Sequence, residues 1–223
     1  MSFWALEEIS FGYEGAAGEV FSGVSLSIPR GQAVGLVGPN GSGKTTLGKI
    51  LVGLLTPSSG RVLLEGEDVA KIPLARVGAR VGYVFQNPER QFFTASVAEE
   101  VAFGLRFRDG SGSGVAGRVE EMLDYFDLSH RREAFPFNLS RGEKQRLALA
   151  SILVLEPAYV ILDEPTTGLD PGRKERFCLL LERVRARGTG YLLISHDREL
   201  ISQMTNRRLV MEGGRVRESA LLR

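Results

Sequence analysis

With 223 residues, 43% apolar and 25% charged, the chain is long enough to bury a full core and has the composition of an ordinary soluble globular protein. Its 28 basic and 27 acidic residues leave a formal charge of +1, which gives no electrostatic argument for nucleic acid or an anionic membrane as the main partner. One cysteine, Cys178, excludes an internal disulfide, and no apolar run reaches the roughly 18 residues of a membrane span.

Taken in chain order, residues 4–10 and 24–28 read as strands, the second alternating apolar and polar side chains before Pro29-Arg30-Gly31 closes it. Residues 33–37 form a short buried strand that runs into a glycine-rich loop. Apolar spacing then predicts a helix over 46–55, ended by Thr56-Pro57. Two short strands follow at 61–65 and 81–85. From 88 to 138 the period turns helical, with Val97, Val101 and Leu105, then Val119, Met122, Leu123 and Phe126 recurring every three to four residues. Between these helices the Gly/Ser run at 109–114 is expected to be a flexible surface link. A helix over 143–155, a buried strand at 159–162, an amphipathic helix over 172–187, a buried strand at 191–194 and a short helix over 199–204 complete the pattern. The longest apolar candidate, 147–162, is interrupted by Glu156-Pro157. Cys178 falls in an apolar helical pattern and reads as a small core residue. Met1-Ser2-Phe3-Trp4 lacks the charged and apolar regions of a secretory signal, so a cytoplasmic protein is expected.

Continuous apolar strands separated by helices imply an α/β fold with a mainly parallel sheet covered on both faces. The N-terminal strands make a small antiparallel part. One unit over 1–223 is expected, with the α/β core at 1–87 and 143–223 and a helical insertion at about 88–142.

Gly38-Pro39-Asn40-Gly41-Ser42-Gly43-Lys44-Thr45 fits the G-x-x-x-x-G-K-[ST] phosphate-loop template at every fixed position. The chemistry needs these residue types. Glycines let the backbone wrap phosphates, successive N–H groups and the following helix N-terminus supply positive potential, Lys44 reaches the β/γ-phosphates, and Thr45 offers a hydroxyl to Mg²⁺. Residues 38–45, with Thr46 next to them, are therefore candidates for binding a nucleoside triphosphate. A glycine turn before a helix would explain the glycines but not the Lys-Thr pair. Val160-Ile161-Leu162-Asp163-Glu164 is an apolar strand that ends in two carboxylates. After a phosphate loop, Asp163 is expected in the Mg²⁺ shell and Glu164 beside the attacking water; the plain alternative is a solvated acidic turn.

Leu139-Ser140-Arg141-Gly142-Glu143, Asp163-Glu164-Pro165-Thr166-Thr167-Gly168-Leu169-Asp170 and Ile194-Ser195-His196-Asp197 together resemble the ATP-binding-cassette ATPases over essentially the whole chain. The resemblance implies a RecA-like phosphate-loop core, ATP and Mg²⁺ as ligands, and a role for each matching position. Tyr13 would stack on adenine, Gln86 would touch Mg²⁺ and the attacking water, and His196 would grip the γ-phosphate. It also implies a head-to-tail dimer of two cassettes, of the same or different chains. Ser140 and Gly142 would then meet the ATP of the partner, and Asp170 would lie across the interface. His130 receives no role.

The family's signature is Leu-Ser-Gly-Gly-Gln, and this chain departs from it at Arg141 and Glu143. Ser140-x-x-Glu143 is also a capping box. The two departures are expected to cancel in part, with Glu143 turned back to its own cap.

Gln86-Asn87-Pro88-Glu89-Arg90-Gln91-Phe92-Phe93, followed by 96–104, is similar to the region after the key glutamine in energy-coupling-factor transporter ATPases, including cobalt and biotin types. That resemblance implies uptake of a vitamin or metal ion through an integral membrane coupling subunit and a substrate-binding membrane subunit. The ATPase would lie on the cytoplasmic face of the membrane, and nucleic acid would not be a partner. Phe92 and Phe93 would face the membrane subunit or else pack within the helical insertion. The chain ends soon after the last strand, without the further C-terminal domain many coupling-factor ATPases carry, and a minimal variant is expected. The ATPase of another importer or exporter, and a soluble cassette without a transport role, are the alternatives.

Overall fold

The structure, a computed structural model, describes residues 2–15, 18–109 and 114–219. Most of the expected link at 109–114 lies outside the described residues. Strand β1 (Ser2–Phe11) pairs antiparallel with β2 (Phe21–Pro29), in a register that sets Leu6 against Leu26. After β3 (Ala33–Val37) comes helix α1 (Lys44–Leu51), then β4 (Ser59–Leu64) and β5 (Glu67–Asp68). The antiparallel strands form a four-stranded sheet in the order β2-β1-β4-β5. The helix expected over 46–55 is shorter than its apolar pattern because Gly53 takes φ +74°, a left-handed conformation that ends it.

Helix α2 (Leu74–Gly78) leads into β6 (Val81–Val84), and the helical stretch follows as α3 (Val97–Asp109), α4 (Gly114–Tyr125) and α5 (Arg141–Leu153). Strand β7 (Tyr159–Asp163), α6 (Pro171–Ala186), β8 (Gly190–Ile194), α7 (Arg198–Met204), β9 (Arg207–Glu212) and β10 (Arg215–Ser219) complete the chain. The second sheet runs β10-β9-β3-β8-β7-β6. Its inner pairings are all parallel, and only β10 is antiparallel. The fold is thus α/β, with a mainly parallel sheet and a small antiparallel one. Strands β9 and β10, absent from the sequence reading, are a hairpin around Gly213-Gly214, a turn signal that sequence could have supplied.

The two-residue period of the buried strands divides the core. Val160 and Leu162 of β7 and Leu193 of β8 face the layer of α3–α7, while Tyr159, Ile161, Leu192 and Ile194 face α1 and the antiparallel sheet. The two sheets are joined where Trp4 meets Tyr159 edge-on at 4.7 Å and Phe3 stacks on it at 5.3 Å. The Trp4 indole N–H donates to the Leu51 carbonyl at 3.1 Å, so burying this ring leaves no donor unpaired. Cys178 is partly buried against the helical side of the core. No helix of the described residues is long and apolar enough to cross a membrane.

Candidate active site

Four parallel strands carry the candidate residues to one sheet edge, at their carboxyl ends, where open α/β sheets bind ligands. Strand β3 runs into the loop 38–43, β7 ends at Asp163, β8 is followed by Ser195 and His196, and β6 by Gln86. Two further bonds tie the site to the sheet: Glu164 N–H donates to the Ile194 carbonyl at 2.9 Å and Ser195 N–H to the Leu36 carbonyl at 3.2 Å.

The loop needs its glycines. A Cβ on Gly38 would lie 2.1 Å from the Met211 carbonyl oxygen, and one on Gly43, at φ +100°, would lie 2.6 Å from Val20. Lys44 is only 7% exposed, and its ammonium donates to the Gly38 and Pro39 carbonyls at 2.9 Å each. Buried Ser42 Oγ has no partner among the described residues, an orphaned polar atom within a loop shaped for anions. Pro39, Asn40 and Gly41 are exposed. The Tyr13 and Thr46 hydroxyls lie 2.9 Å apart, and Phe11 packs edge-on against the Tyr13 ring at 4.9 Å. Tyr13 is half exposed, so a ring suited to stacking stands beside the phosphate loop.

Asp163 is 2% exposed and receives two hydroxyls: Thr45 donates to Oδ1 at 3.1 Å, and Tyr83 donates to Oδ2 at 3.0 Å. Burial pushes its carboxyl above the usual range, against the pull of the two hydroxyls, and the charge of Glu164 adds to the rise. A buried carboxylate in that state is relieved by a nearby cation. Among the described residues no three His, Cys, Asp or Glu cluster as a cage. One carboxylate beside a threonine hydroxyl is the kind of donor set Mg²⁺ uses when a substrate's phosphates supply the rest, so the residues present fit that ion.

Glu164 is 8% exposed and holds φ +49°, an uncommon conformation for a side chain of this size. Its Oε2 lies 2.9 Å from His196 Nδ1, 3.4 Å from Thr167 Oγ1 and 3.5 Å from Ser195 Oγ. An ionised carboxylate only accepts, so this pairing puts the proton on Nδ1. No described residue donates to Oε1. Asp197, next to His196, caps α7 and pairs with Lys174 at 2.9 Å; burial opposes its ionisation, but Lys174 and the helix N–H groups hold its carboxyl below the usual range. Gln86 is exposed just past β6 and hydrogen-bonds to neither carboxylate.

The remaining candidates stand apart. Ser140 caps α5 in a full capping box, with the Glu143 N–H donating to Ser140 Oγ and the Ser140 N–H to Glu143 Oε2 at 2.8 Å. Glu143 is thus turned back to its cap, as expected, but its other oxygen pairs with Arg131 at 2.9 Å and not with Arg141. Arg141 instead reaches Gly168, where an added Cβ would lie 2.9 Å from its guanidinium. His130 Nε2 lies 3.7 Å from Glu143, a proximity the sequence did not signal. Asp170 caps α6 through the Arg173 N–H at 2.9 Å. Neither Ser140, Gly142 nor Asp170 hydrogen-bonds to the phosphate loop of its own chain.

Burial would raise the Glu143 carboxyl, but Ser140 and Arg131 together hold it down at about 2. Its stabilisation is therefore full above the ordinary carboxylate range near pH 4.5 and is lost as pH falls through about 2. Glu143→Gln removes that acid dependence, read as a flatter melting temperature between those pH values. It should change ATP turnover by less than tenfold, about 1.4 kcal/mol, because the glutamine still accepts at the cap; a larger change would show that the charge acts on the nucleotide.

A sequence profile described as ABC transporter matches residues 21–167. The chain is 38% identical over 211 residues to the energy-coupling factor transporter ATP-binding protein EcfA of Methanothermobacter thermautotrophicus, covering 94% of this chain and 68% of that protein. The structure is similar to cbiO1 of Clostridium perfringens, described as part of the ABC transporter complex cbiONQ, with TM-score 0.86 and 32% identity over 97% of this chain and 87% of the other. It is also similar to the ATP-binding cassette MJ0796, solved as a dimer in a post-hydrolysis state with ADP and Pi, with TM-score 0.88 and 26% identity over 99% of both chains. Two relatives from Methanosarcina, 42% and 43% identical, are longer, and the chain spans 34% of the length of each.

Proposed function

The chain belongs to the ABC transporter family, and from that premise we propose that it binds and hydrolyses ATP to power uptake of a micronutrient, a vitamin or transition-metal ion, through a separate membrane subunit of an energy-coupling-factor complex. The observation that carries the hydrolytic part is the meeting of two pairs at one sheet edge, Thr45 with Asp163 and Glu164 with His196. The loop N–H groups and Lys44 would hold the β- and γ-phosphates, with Tyr13 on the adenine. Thr45 and Asp163, joined by Gln86, would hold Mg²⁺, whose charge offsets that of the phosphates when it is bound. Glu164 takes the proton of the attacking water on its unbonded Oε1 as the bond from Pγ to the leaving oxygen breaks. His196, fixed at Oε2, orients that carboxylate and meets the γ-phosphate through its other ring nitrogen.

Ser140, Gly142 and Asp170 engage no nucleotide-binding residue of their own chain, and we assign them to the ATP of a second cassette, identical or different. The dimeric MJ0796 supports that assignment. The helical segment at about 88–142, set between the α/β parts, would meet the membrane subunit. Phe93 is 63% exposed and stands edge-on to exposed Phe103 at 4.4 Å, an apolar pair open to a partner. Phe92, by contrast, is buried in the core, which removes it from the surface expected for it. The resemblance to EcfA and cbiO1 favours the coupling-factor complex over another importer or exporter, and supports a position on the cytoplasmic face of the membrane.

Phosphate release from ATP by the purified protein tests the hydrolytic role. Release with Mg²⁺ and none in EDTA is expected. Tight ATP binding without release, both alone and with membrane extract, would reduce the chain to a binding module.

A further inference from the structure

Tyr83 was not among the candidates read from the sequence. It lies in β6, paired with Ile161 of the neighbouring β7, and its hydroxyl reaches Asp163 Oδ2 at 3.0 Å. Its ring is held between Phe85, centroids 4.7 Å apart, and α1. There Gly48 leaves it room: a Cβ at that position would stand 3.2 Å from the Tyr83 hydroxyl. The hydroxyl is therefore held by packing from a strand, a ring and a helix.

Among the described residues Asp163 has two donors, and they differ in kind. Thr45 Oγ1, on Oδ1 at 3.1 Å, is itself a candidate metal ligand, so its hydroxyl is required elsewhere once an ion is bound. Tyr83 has no such second task. A ligating carboxylate keeps its orientation through the outer hydrogen bond on its other oxygen, and such partners matter nearly as much as the ligand itself. We propose that Tyr83 is a positioning residue that fixes the carboxylate of Asp163 for the divalent cation carried with ATP. The proposal rests on the reading of Asp163 as a metal ligand.

Tyr83→Phe tests it, since it removes one oxygen and keeps the ring. The measurement is the affinity of the protein for ATP by calorimetry, with Mg²⁺ and again in EDTA, and the quantity read is the gain that Mg²⁺ confers. The gain should fall about tenfold, about 1.4 kcal/mol, while the affinity in EDTA stays within about twofold of wild type. Mn²⁺ binding followed by electron paramagnetic resonance in the presence of ATP should weaken in parallel. An unchanged gain, or an equal loss with and without Mg²⁺, would overturn the proposal, the second outcome marking Tyr83 as merely structural. If wild type itself shows no gain from Mg²⁺, or Asp163→Asn retains it, the assignment of Asp163 falls first and this proposal with it.

Discussion

Glu164→Gln is expected to lower the turnover of ATP by about 10² to 10⁴-fold, the range lost when a positioned base is removed, with ATP binding intact. The substitution keeps the length and shape of the side chain, so the tight surroundings at 8% exposure are not disturbed. A glutamine carbonyl can still accept from His196 Nδ1, which preserves the 2.9 Å contact and with it the ring orientation. What is lost is the basic oxygen. Oε1, which no described residue engages, becomes part of an amide that cannot take a proton from water. Single-turnover release of phosphate from radiolabelled ATP measures the chemical step apart from product release. A variant that turns over ATP as fast as wild type would place the base elsewhere.

Lys44→Ala should act on binding. Its ammonium is fixed between two loop carbonyls at 2.9 Å and buried to 7% exposure, so the charge is presented at the loop at little further entropic cost. Charge-assisted contacts of this kind contribute about 1.5–3 kcal/mol each. The expected loss of ATP affinity is about 100-fold, about 2.7 kcal/mol, read by calorimetry with Mg²⁺ present. Folding should survive, because Pro39 is exposed and Gly38 partly so, and their freed carbonyls can turn to water. Retained affinity would mean that the loop N–H groups alone hold the nucleotide.

The residues that were legible are those whose role follows from local chain order. A phosphate loop works through contiguous backbone, so the template names Gly38 to Thr45 without any knowledge of the fold. The capping box at Ser140 and Glu143 is a four-residue pattern for the same reason, and Asp163-Glu164 is marked by the apolar strand before it. Contacts across the sheet were not legible. Tyr83 meets Asp163 only because β6 and β7 pair in the register that sets Tyr83 against Ile161, and nothing within 81–85 announces that neighbour. Arg131, 12 residues away, reaches Glu143, while Arg141, with only Gly142 between them, lies against Gly168. The sequence names Glu143 as a cap but does not name Arg131 as its ion-pair partner. Phe92 and Phe93 look alike in sequence, yet one enters the core and the other faces out, because successive residues leaving a short turn point in opposite directions.

The proposed transport role is tested most directly by which proteins bind the chain in membranes of its own host. Purified from solubilised membranes under Mg²⁺-ATP, it should bring down a small multi-helix membrane protein and a second cassette, and Phe93→Ser with Phe103→Ser should weaken the first without the second. Recovery with ribosomes or DNA-bound proteins, or with no membrane protein at all, would contradict the transport role and leave only the nucleotide chemistry.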